Sequence, residues 1–298
     1  MSFKSGFVAI AGAPNVGKST LLNRILGEKV SITSDKPQTT RNRVQGVLHL
    51  ENAQMVFLDT PGIHPAKNPL NRYMVDVASA TLTDADVVLW VVDASKPNPE
   101  SEEMVLSRVK SRTKPVVLAL NKIDLVEKEI LLPMLDTWNK VMDFTALVPI
   151  SARTGSQVEK LVKCMAELLP EGPPYFPEDA LTDMTERFLA AELVREKVFR
   201  LTGQEIPYTC AVTVENFLES EDGGMVRIHA VIHVEKDSQK GIIIGKAGAM
   251  LKKIGTLARK DLERMMGVKI YLELFVRVEK NWTTDPKALR RLGYENLQ

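Results

Sequence analysis

A glycine-rich octapeptide between an apolar run and an amphipathic segment constrains this chain more than any other feature. Residues 12–19 fit the pattern G-x-x-x-x-G-K-[ST]. The apolar run at residues 7–11 predicts a buried parallel strand, and residues 20–26 predict a helix that ends at Gly27. Glycines let backbone N–H groups approach phosphate oxygens, and the start of a helix adds partial positive charge there. The predicted phosphate-binding residues are Gly12, Ala13, Pro14, Asn15, Val16, Gly17, Lys18, Ser19 and Thr20.

The phosphate loop and two other segments supply groups for the phosphates and for a metal ion. Lys18 would reach the β- and γ-phosphates, and the Ser19 hydroxyl would bind Mg²⁺. A strand at residues 55–58 leads into Asp59, which can hold Mg²⁺ through water. A threonine of the polar loop upstream, before a predicted strand at residues 44–50, would complete the coordination, and we favour Thr40 over Thr39.

The segment after Asp59 completes this part of the predicted site. The Gly62 N–H can meet a γ-phosphate. The candidate catalytic groups are therefore Lys18, Thr40 and Gly62, which would all lie close to that phosphate. The predicted metal ligands are Ser19, Thr40 and, through water, Asp59. This segment adds Asp59, Thr60, Pro61 and Gly62 to the predicted nucleotide-binding residues.

Asn121-Lys122-Ile123-Asp124 follows a second buried-strand run and indicates which base is bound. An ionised aspartate accepts two hydrogen bonds, and guanine offers two adjacent donors that adenine lacks. Asp124 would therefore select guanine, Asn121 would contact the base or brace the phosphate loop, and the Lys122 stem would cover the base. A last strand ends at Ser151-Ala152, where the Ala152 N–H could meet the guanine carbonyl.

These segments, over about residues 5–170, resemble the five motifs of the translation-factor-related GTPases, in the order that this family has them. The resemblance implies a GTP-hydrolysing switch that uses GTP, GDP and Mg²⁺. The chain departs from Ras-like members at Ile63, where they carry the glutamine that orients the attacking water. We therefore expect slow intrinsic hydrolysis. A backbone group, a bound cation or a partner would have to place the water.

Length and composition indicate two domains of an ordinary globular protein. The chain has 298 residues, of which 44% are hydrophobic and 26% charged. Neither a membrane-spanning apolar run nor a signal peptide is evident. Cys164 and Cys210 are far apart and lie in apolar patterns, which predicts reduced thiols and a cytoplasmic location.

A proline-rich stretch divides the chain. We predict a nucleotide-binding domain at residues 1–170, a semi-stiff linker at 171–180 and a second domain at 181–298. The first domain alternates strands with helical patterns, which predicts an α/β fold with a mostly parallel sheet and flanking helices. The second domain should be α+β. Its first helix is predicted at residues 182–201, with Asp183 or Thr182 as its cap and Gly203 at its end.

The second domain contains a G-x-x-G loop between a short apolar helix and a longer basic helix. A strand precedes it, in which His229 and His233 share a face, and a solvated face is favoured there over a metal site. The order helix, strand, strand, helix, G-x-x-G, helix, strand resembles a type II KH domain, whose loop clamps single-stranded nucleotides. The candidate RNA-binding residues are Ile242, Ile243, Ile244, Gly245, Lys246, Ala247, Gly248, Lys252 and Lys253.

Charge is distributed unevenly along the chain. Residues 230–298 carry 14 Lys and Arg against 8 Asp and Glu, although the whole chain has a net charge of only +1. No acidic residue occurs between Asp237 and Asp261, a segment that contains six basic residues. A field of one sign indicates a polyanionic partner, with a solvated lysine-rich helix face as the alternative.

Taken together, the two domains resemble a family of bacterial ribosome-assembly GTPases. The resemblance implies binding to the 3′ end of 16S rRNA, a role in small (30S) subunit maturation and peripheral contact with the cytoplasmic membrane. We expect the protein to be a monomer. Two alternatives remain at this point. One is a P-loop kinase or ATPase for a small molecule, and the other is a nucleotide-binding RNA chaperone or scaffold with little useful turnover.

Overall fold

The computed structural model describes residues 2–110, 113–203 and 205–294. These residues form two compact units. The first comprises residues 2–67 and 71–183, and the second comprises residues 68–70 and those from 184 onward. The fold class predicted from the sequence is confirmed, because an α/β unit with a mostly parallel sheet precedes a smaller α+β unit.

A six-stranded sheet forms the centre of the first unit. Its strands are β1 (Lys4–Ala11), β2 (Val44–Leu50), β3 (Ala53–Asp59), β4 (Val87–Asp93), β5 (Val116–Asn121) and β6 (Ala146–Pro149). The spatial order is β2-β3-β1-β4-β5-β6, with β2 antiparallel to β3 and all other neighbours parallel. The helices are α1 (Lys18–Leu26), α2 (Pro69–Asp84), α3 (Pro99–Val109), α4 (Leu131–Asn139) and α5 (Val158–Leu168).

The carboxyl ends of the parallel strands gather the candidate nucleotide-binding residues at one edge. Strands β3 and β4 are buried over their whole length, as expected of central strands whose sequences are mostly apolar. Strand β1 runs into the phosphate loop, β3 ends at Asp59, β4 at Asp93 and β5 at Asn121. An open parallel sheet binds its ligands at this edge.

The proline-rich stretch packs on the first unit instead of forming a free spacer. The Ser5 N–H donates to the Pro170 carbonyl at 3.1 Å, and the Gly172 N–H donates to the Phe3 carbonyl at 3.1 Å. The Gln54 side chain accepts from the Tyr175 N–H at 2.7 Å. The boundary between the units therefore follows residue 183, which differs from the predicted linker at residues 171–180. Backbone hydrogen bonds to β1 and to Gln54 fix this segment despite its prolines.

The second unit is built on a three-stranded sheet. Its elements are α6 (Glu186–Leu201), α7 (Ile206–Thr209), β7 (Ala211–Glu219), β8 (Met225–Val234), α8 (Asp237–Ile244), α9 (Ala249–Met266), β9 (Lys269–Val278) and α10 (Pro286–Arg291). Strand β8 lies in the centre, antiparallel to β7 and parallel to β9. Helices α6, α8 and α9 cover one face of the sheet through a core that includes Val194, Ile232 and Ile254.

The first helix of the second unit starts later than the sequence predicts. Helix α6 begins at Glu186, and the Thr185 hydroxyl caps it by accepting from the Phe188 N–H. The predicted cap Thr182 instead donates its hydroxyl to the Gln45 carbonyl at 2.6 Å. At the other end, Thr202 forms the C-cap, one residue before the predicted Gly203.

The predicted solvated face of the histidine pair is wrong for His233, which is buried, and both histidines bond other side chains. His233 bonds Thr213 at 2.8 Å and His229 lies 3.0 Å from Glu273. Within residues 2–110, 113–203 and 205–294, no group of three or more His, Cys, Asp or Glu side chains is placed to hold a metal ion. The helices found in the same ranges are all too short or too polar to cross a membrane.

Candidate nucleotide and RNA sites

The phosphate loop depends on a glycine whose conformation no other residue adopts easily. Gly17 has φ +100°, and a Cβ added there would lie 2.4 Å from Asn121 Nδ2. The next residue, Lys18, is buried and donates from Nζ to the Gly12 and Ala13 carbonyls, at 3.2 and 2.9 Å. Its ammonium group therefore lies inside the loop, where phosphate oxygens would replace the carbonyls as its partners.

Burial controls the pKa of the two charged groups beneath this loop. It lowers the pKa of Lys18 to about 8, an effect that the Asp59 carboxylate opposes. Burial likewise raises the pKa of Asp59, against the opposing effects of Lys18 and of hydroxyl groups. A bound nucleotide and a bound cation would favour the charged forms of both groups, since anions stabilise a buried ammonium and cations a buried carboxylate.

Three predicted metal ligands lie together. The Ser19 hydroxyl donates to Asp59 Oδ2 at 2.6 Å and lies 2.8 Å from Thr40 Oγ1. Thr39 points elsewhere and donates to the Lys36 carbonyl at 2.8 Å, so the geometry favours Thr40. Asp59 Oδ1 is buried without a hydrogen-bond partner. Two hydroxyls and a carboxylate with a spare oxygen suit Mg²⁺, which prefers oxygen ligands.

The base-recognition loop is fixed by side chains that bond each other. Asp124 accepts from the Ser151 hydroxyl at 2.6 Å and from Arg153 at 2.5 Å. These contacts, with the Ser151 hydrogen bond as the largest cause, hold the pKa of Asp124 below its usual range. The carboxylate is thus ionised, as pairing with two guanine donors requires.

Asn121 braces the two loops, which is one of the two roles that the sequence allows it. Its Nδ2 donates to the Val16 carbonyl at 2.7 Å, and its Oδ1 accepts from the Ala152 N–H at 2.9 Å. Lys122 lies between the same loops, because its Nζ donates to the Asn15 carbonyl at 2.8 Å and to Asp93 at 2.5 Å. The sequence motifs do not reveal the role of Asp93, although its place at the end of β4 is a usable signal.

A cavity of about 960 Å³ opens beside the phosphate loop. Lys18, Ser19, Thr40, Gly62 and Lys122 are among the residues that line it. Thr60, which is also predicted to bind nucleotide, is not among the residues that line the cavity. It is fully buried and donates its hydroxyl to the Ile10 carbonyl at 2.8 Å, so it supports the strand end beneath the cavity.

Ile63 is also turned away from the cavity. It is fully buried and packs in the core with Ala11, Ala78, Leu82 and Val92. Its backbone N–H donates to the Gly12 carbonyl at 3.2 Å, which fixes this orientation. The backbone therefore directs the side chain at this position into the core.

The second unit contains a groove of about 420 Å³ between α9 and β9. Gly248, Lys252 and Arg259 line it from the helix side, and Tyr271 and Leu274 line it from the strand side. The loop at its mouth has left-handed backbone at Gly245, Ala247 and Gly248, with φ of 72°, 51° and 78°. Sequence analysis missed the whole strand side of the groove, because only the fold brings β9 beside α9.

The predicted RNA-binding residues differ in their exposure and in whether they line the groove. Lys246, Lys252 and Ile242 are exposed around the loop. Ile243 is a correction, because it is fully buried in the core of the second unit and cannot lie under a base. Lys253 is exposed on α9, but the groove lining includes Lys252 and not Lys253.

The two units define a class of protein. A phosphate loop joined by Asn121 to a loop with an ionised aspartate is the architecture of a P-loop GTPase domain. The second unit has the element order and G-x-x-G loop of a KH domain. Family models agree, since one described as 50S ribosome-binding GTPase matches residues 7–122 and one described as KH domain matches residues 205–283.

Comparison with whole proteins narrows this class to one family. The chain is 56% identical to the GTPase Era of Geobacter metallireducens and 55% identical to that of Geotalea daltonii, in each case over 98% of both chains. It belongs to the Era family of GTPases, enzymes that hydrolyse GTP to GDP and phosphate. The alternative of a small-molecule kinase is thereby excluded.

Solved structures support the same assignment. Era in complex with MgGDPNP and nucleotides 1506–1542 of 16S ribosomal RNA has a TM-score of 0.95 and 45% identity, covering 99% of this chain and 100% of that one. A single-residue variant of Aquifex aeolicus Era, bound to GDP and AlF4⁻, matches with the same score, identity and coverage.

Proposed function

We propose that this chain is a GTP-controlled RNA clamp that binds the 3′ end of 16S rRNA and acts in maturation of the small ribosomal subunit. The observation that carries the proposal is the groove between α9 and β9, with the G-x-x-G loop and Lys246 at its mouth. The related Era that was solved with nucleotides 1506–1542 of 16S rRNA supports the choice of RNA.

The groove has the chemistry for single-stranded RNA. Gly245 and Gly248 leave the backbone of the loop open to phosphates, and Lys246 and Lys252 supply positive charge. Inside the groove, Leu251 and Leu274 offer apolar contact to bases. Gly255 has no side chain where α9 faces Leu274, which leaves room between the helix and the strand.

The residues of the first unit divide the work on the nucleotide. Lys18 and the N–H groups of the phosphate loop would balance the charge of the β- and γ-phosphates. Ser19, Thr40 and Asp59 would hold Mg²⁺, which supplies further charge stabilisation when it is bound. Asp124 would select guanine. Ordering of the loops around Thr40 and Gly62 by the γ-phosphate would be the switch that changes RNA affinity.

The clamp is tested with a single-stranded RNA of the 16S 3′-end sequence at fixed salt. The double variant Lys246→Asp, Ala247→Asp places two carboxylates where phosphates would lie, and we expect its affinity to fall at least about tenfold. Lys160→Asp on α5 changes the charge of an exposed lysine in the first unit and should bind normally. Unchanged affinity of the double variant would refute the groove assignment. Equal affinity for a scrambled RNA would refute the choice of target.

We also propose a cytoplasmic monomer with peripheral contact to the cytoplasmic membrane. Its support is the resemblance to ribosome-assembly GTPases. Light scattering of the purified chain should give the mass of one copy, 33.2 kDa. Flotation with vesicles of anionic lipid should carry part of the protein upward. A dimer mass would contradict the proposed monomer. The absence of protein from the floated fraction would contradict the proposed membrane contact.

A further inference from the structure

The residue that orients the attacking water must be sought outside the position after Gly62. Ile63 occupies that position, and its side chain lies in the core. A glutamine there would meet the same backbone and point into the same core. Another polar side chain at the cavity is needed if a side chain performs this role.

Gln38 and His64 are polar residues that line the nucleotide cavity together with Lys18, Thr40 and Gly62. They come from different loops, 26 positions apart, and the Gln38 Nε2 atom lies 3.2 Å from His64 Nε2. The second ring nitrogen, His64 Nδ1, lies 2.7 Å from the Gly62 carbonyl. The pair therefore joins the loop that carries Thr40 to the loop that carries Gly62.

The hydrogen-bond partners determine how these side chains are oriented. The Gly62 carbonyl can only accept, so His64 Nδ1 carries the proton and donates. In the neutral ring Nε2 is then an acceptor, and the Gln38 amide N–H donates to it. The amide oxygen is the acceptor that remains on Gln38, and an acceptor is the group that orients the hydrogen of a water molecule.

The backbone holds Gln38 in an unusual conformation. Its φ is +61°, in the left-handed region, which is unfavourable for a residue other than glycine. The following residues are fixed by side-chain bonds, since Thr39 donates to the Lys36 carbonyl and Thr40 lies 2.8 Å from Ser19. Strain that the surroundings impose on a cavity residue is characteristic of functional positions.

We propose that Gln38 orients the water that attacks the γ-phosphate, and that His64 is the positioning residue that holds the Gln38 amide. The amide oxygen accepts one hydrogen of the water, whose oxygen forms the new bond to phosphorus. The bond from phosphorus to the β–γ bridging oxygen breaks, and its electron pair leaves with GDP. The proton of the water passes to the departing phosphate. Gln38 thus supplies from the Thr40 loop what Ras-like enzymes supply after Gly62.

The test compares hydrolysis with nucleotide affinity in the full chain. Gln38→Ala should lower the single-turnover rate of GTP hydrolysis about 10- to 100-fold. Its affinity for a non-hydrolysable GTP analogue should be unchanged, because the amide acts on the water. Gln157→Ala is the matched control, since Gln157 also has φ +61° in the same unit but is exposed on the surface. It should hydrolyse GTP at the wild-type rate.

Variants of His64 test the positioning role. His64→Ala should lose about as much rate as Gln38→Ala, and the double variant should lose no more than either, because the pair acts as one unit. His64→Asn keeps an N–H for the Gly62 carbonyl but cannot reach Gln38, so it should resemble His64→Ala. Wild-type hydrolysis by Gln38→Ala would overturn the proposal. So would losses that multiply in the double variant, or a loss of analogue affinity that matches the loss of rate.

Discussion

Replacing Asn121 with alanine would remove the side chain that joins the phosphate loop to the base loop. Asn121 is 1% exposed, and its amide bonds the backbone of Val16 and of Ala152, both of which are buried. Alanine leaves one buried carbonyl and one buried N–H without partners. Each such group costs about 1–3 kcal/mol.

We therefore expect Asn121→Ala to lower the free energy of opening around β5 by about 3 kcal/mol. Nucleotide affinity should fall at least about tenfold, because binding must then order the two loops and about 1.4 kcal/mol of lost binding free energy is a tenfold change. Asn121→Asp should be equally damaging. It keeps the acceptor for the Ala152 N–H but places a carboxylate oxygen against the Val16 carbonyl.

Native-state hydrogen exchange of the β5 amides measures the opening free energy in the full chain, and a fluorescent GDP analogue measures affinity. Asn139→Ala is the control, because Asn139 is exposed at the end of α4 and its replacement should change stability by less than about 0.5 kcal/mol. If Asn121→Ala exchanges like wild type and binds GDP normally, the brace does not hold the site together.

Three further predictions concern the base, the groove and the sheet of the second unit. Asp124→Asn should bind XTP in preference to GTP. If competition binding shows that the variant still prefers GTP, the assignment of Asp124 to the base is wrong. Gly255→Val should fill the groove beside Leu274 and lower RNA affinity about tenfold without changing the salt dependence of binding. The double variant Lys246→Asp, Ala247→Asp should weaken both the affinity and its dependence on salt concentration. Burial, with a further contribution from Arg277, lowers the pKa of His233 to about 4. In the folded protein this histidine therefore stays neutral at pH 5, whereas in the unfolded chain it takes up a proton as the pH falls below about 6.5. Stability of the second unit should thus be complete above that pH and lower by about 2 kcal/mol at pH 5, and equal denaturation midpoints at pH 7 and 5 would refute this.

The sequence predicts the first unit well where local patterns carry the information. Strand β1 contains the predicted run at residues 7–11 and β3 contains the predicted run at residues 55–58, because apolar runs bounded by polar residues are typical of buried strands. The start of α6 is not predicted, because Thr182 and Thr185 are equally good caps locally. The bond from Thr182 to the Gln45 carbonyl decides between them, and it depends on the fold.

The same distinction applies to the candidate sites. Lys18, Ser19 and Asp124 are found from short motifs, whose spacing is local. The Gln38–His64 pair and the strand side of the groove join segments that are distant in sequence, so no motif contains them. Ile243 shows the opposite error, since an apolar run does not reveal which of its residues faces the core.

The central claim is that the nucleotide controls RNA binding, and one affinity measurement tests it directly. The intact chain is titrated with the 16S 3′-end RNA at fixed salt and Mg²⁺, first with GDP and then with a non-hydrolysable GTP analogue. We predict that the analogue tightens binding at least about fivefold, and that the RNA raises affinity for the analogue relative to GDP by the same factor. Equal RNA affinity in both states would mean that the two units bind their ligands independently, which would contradict the account.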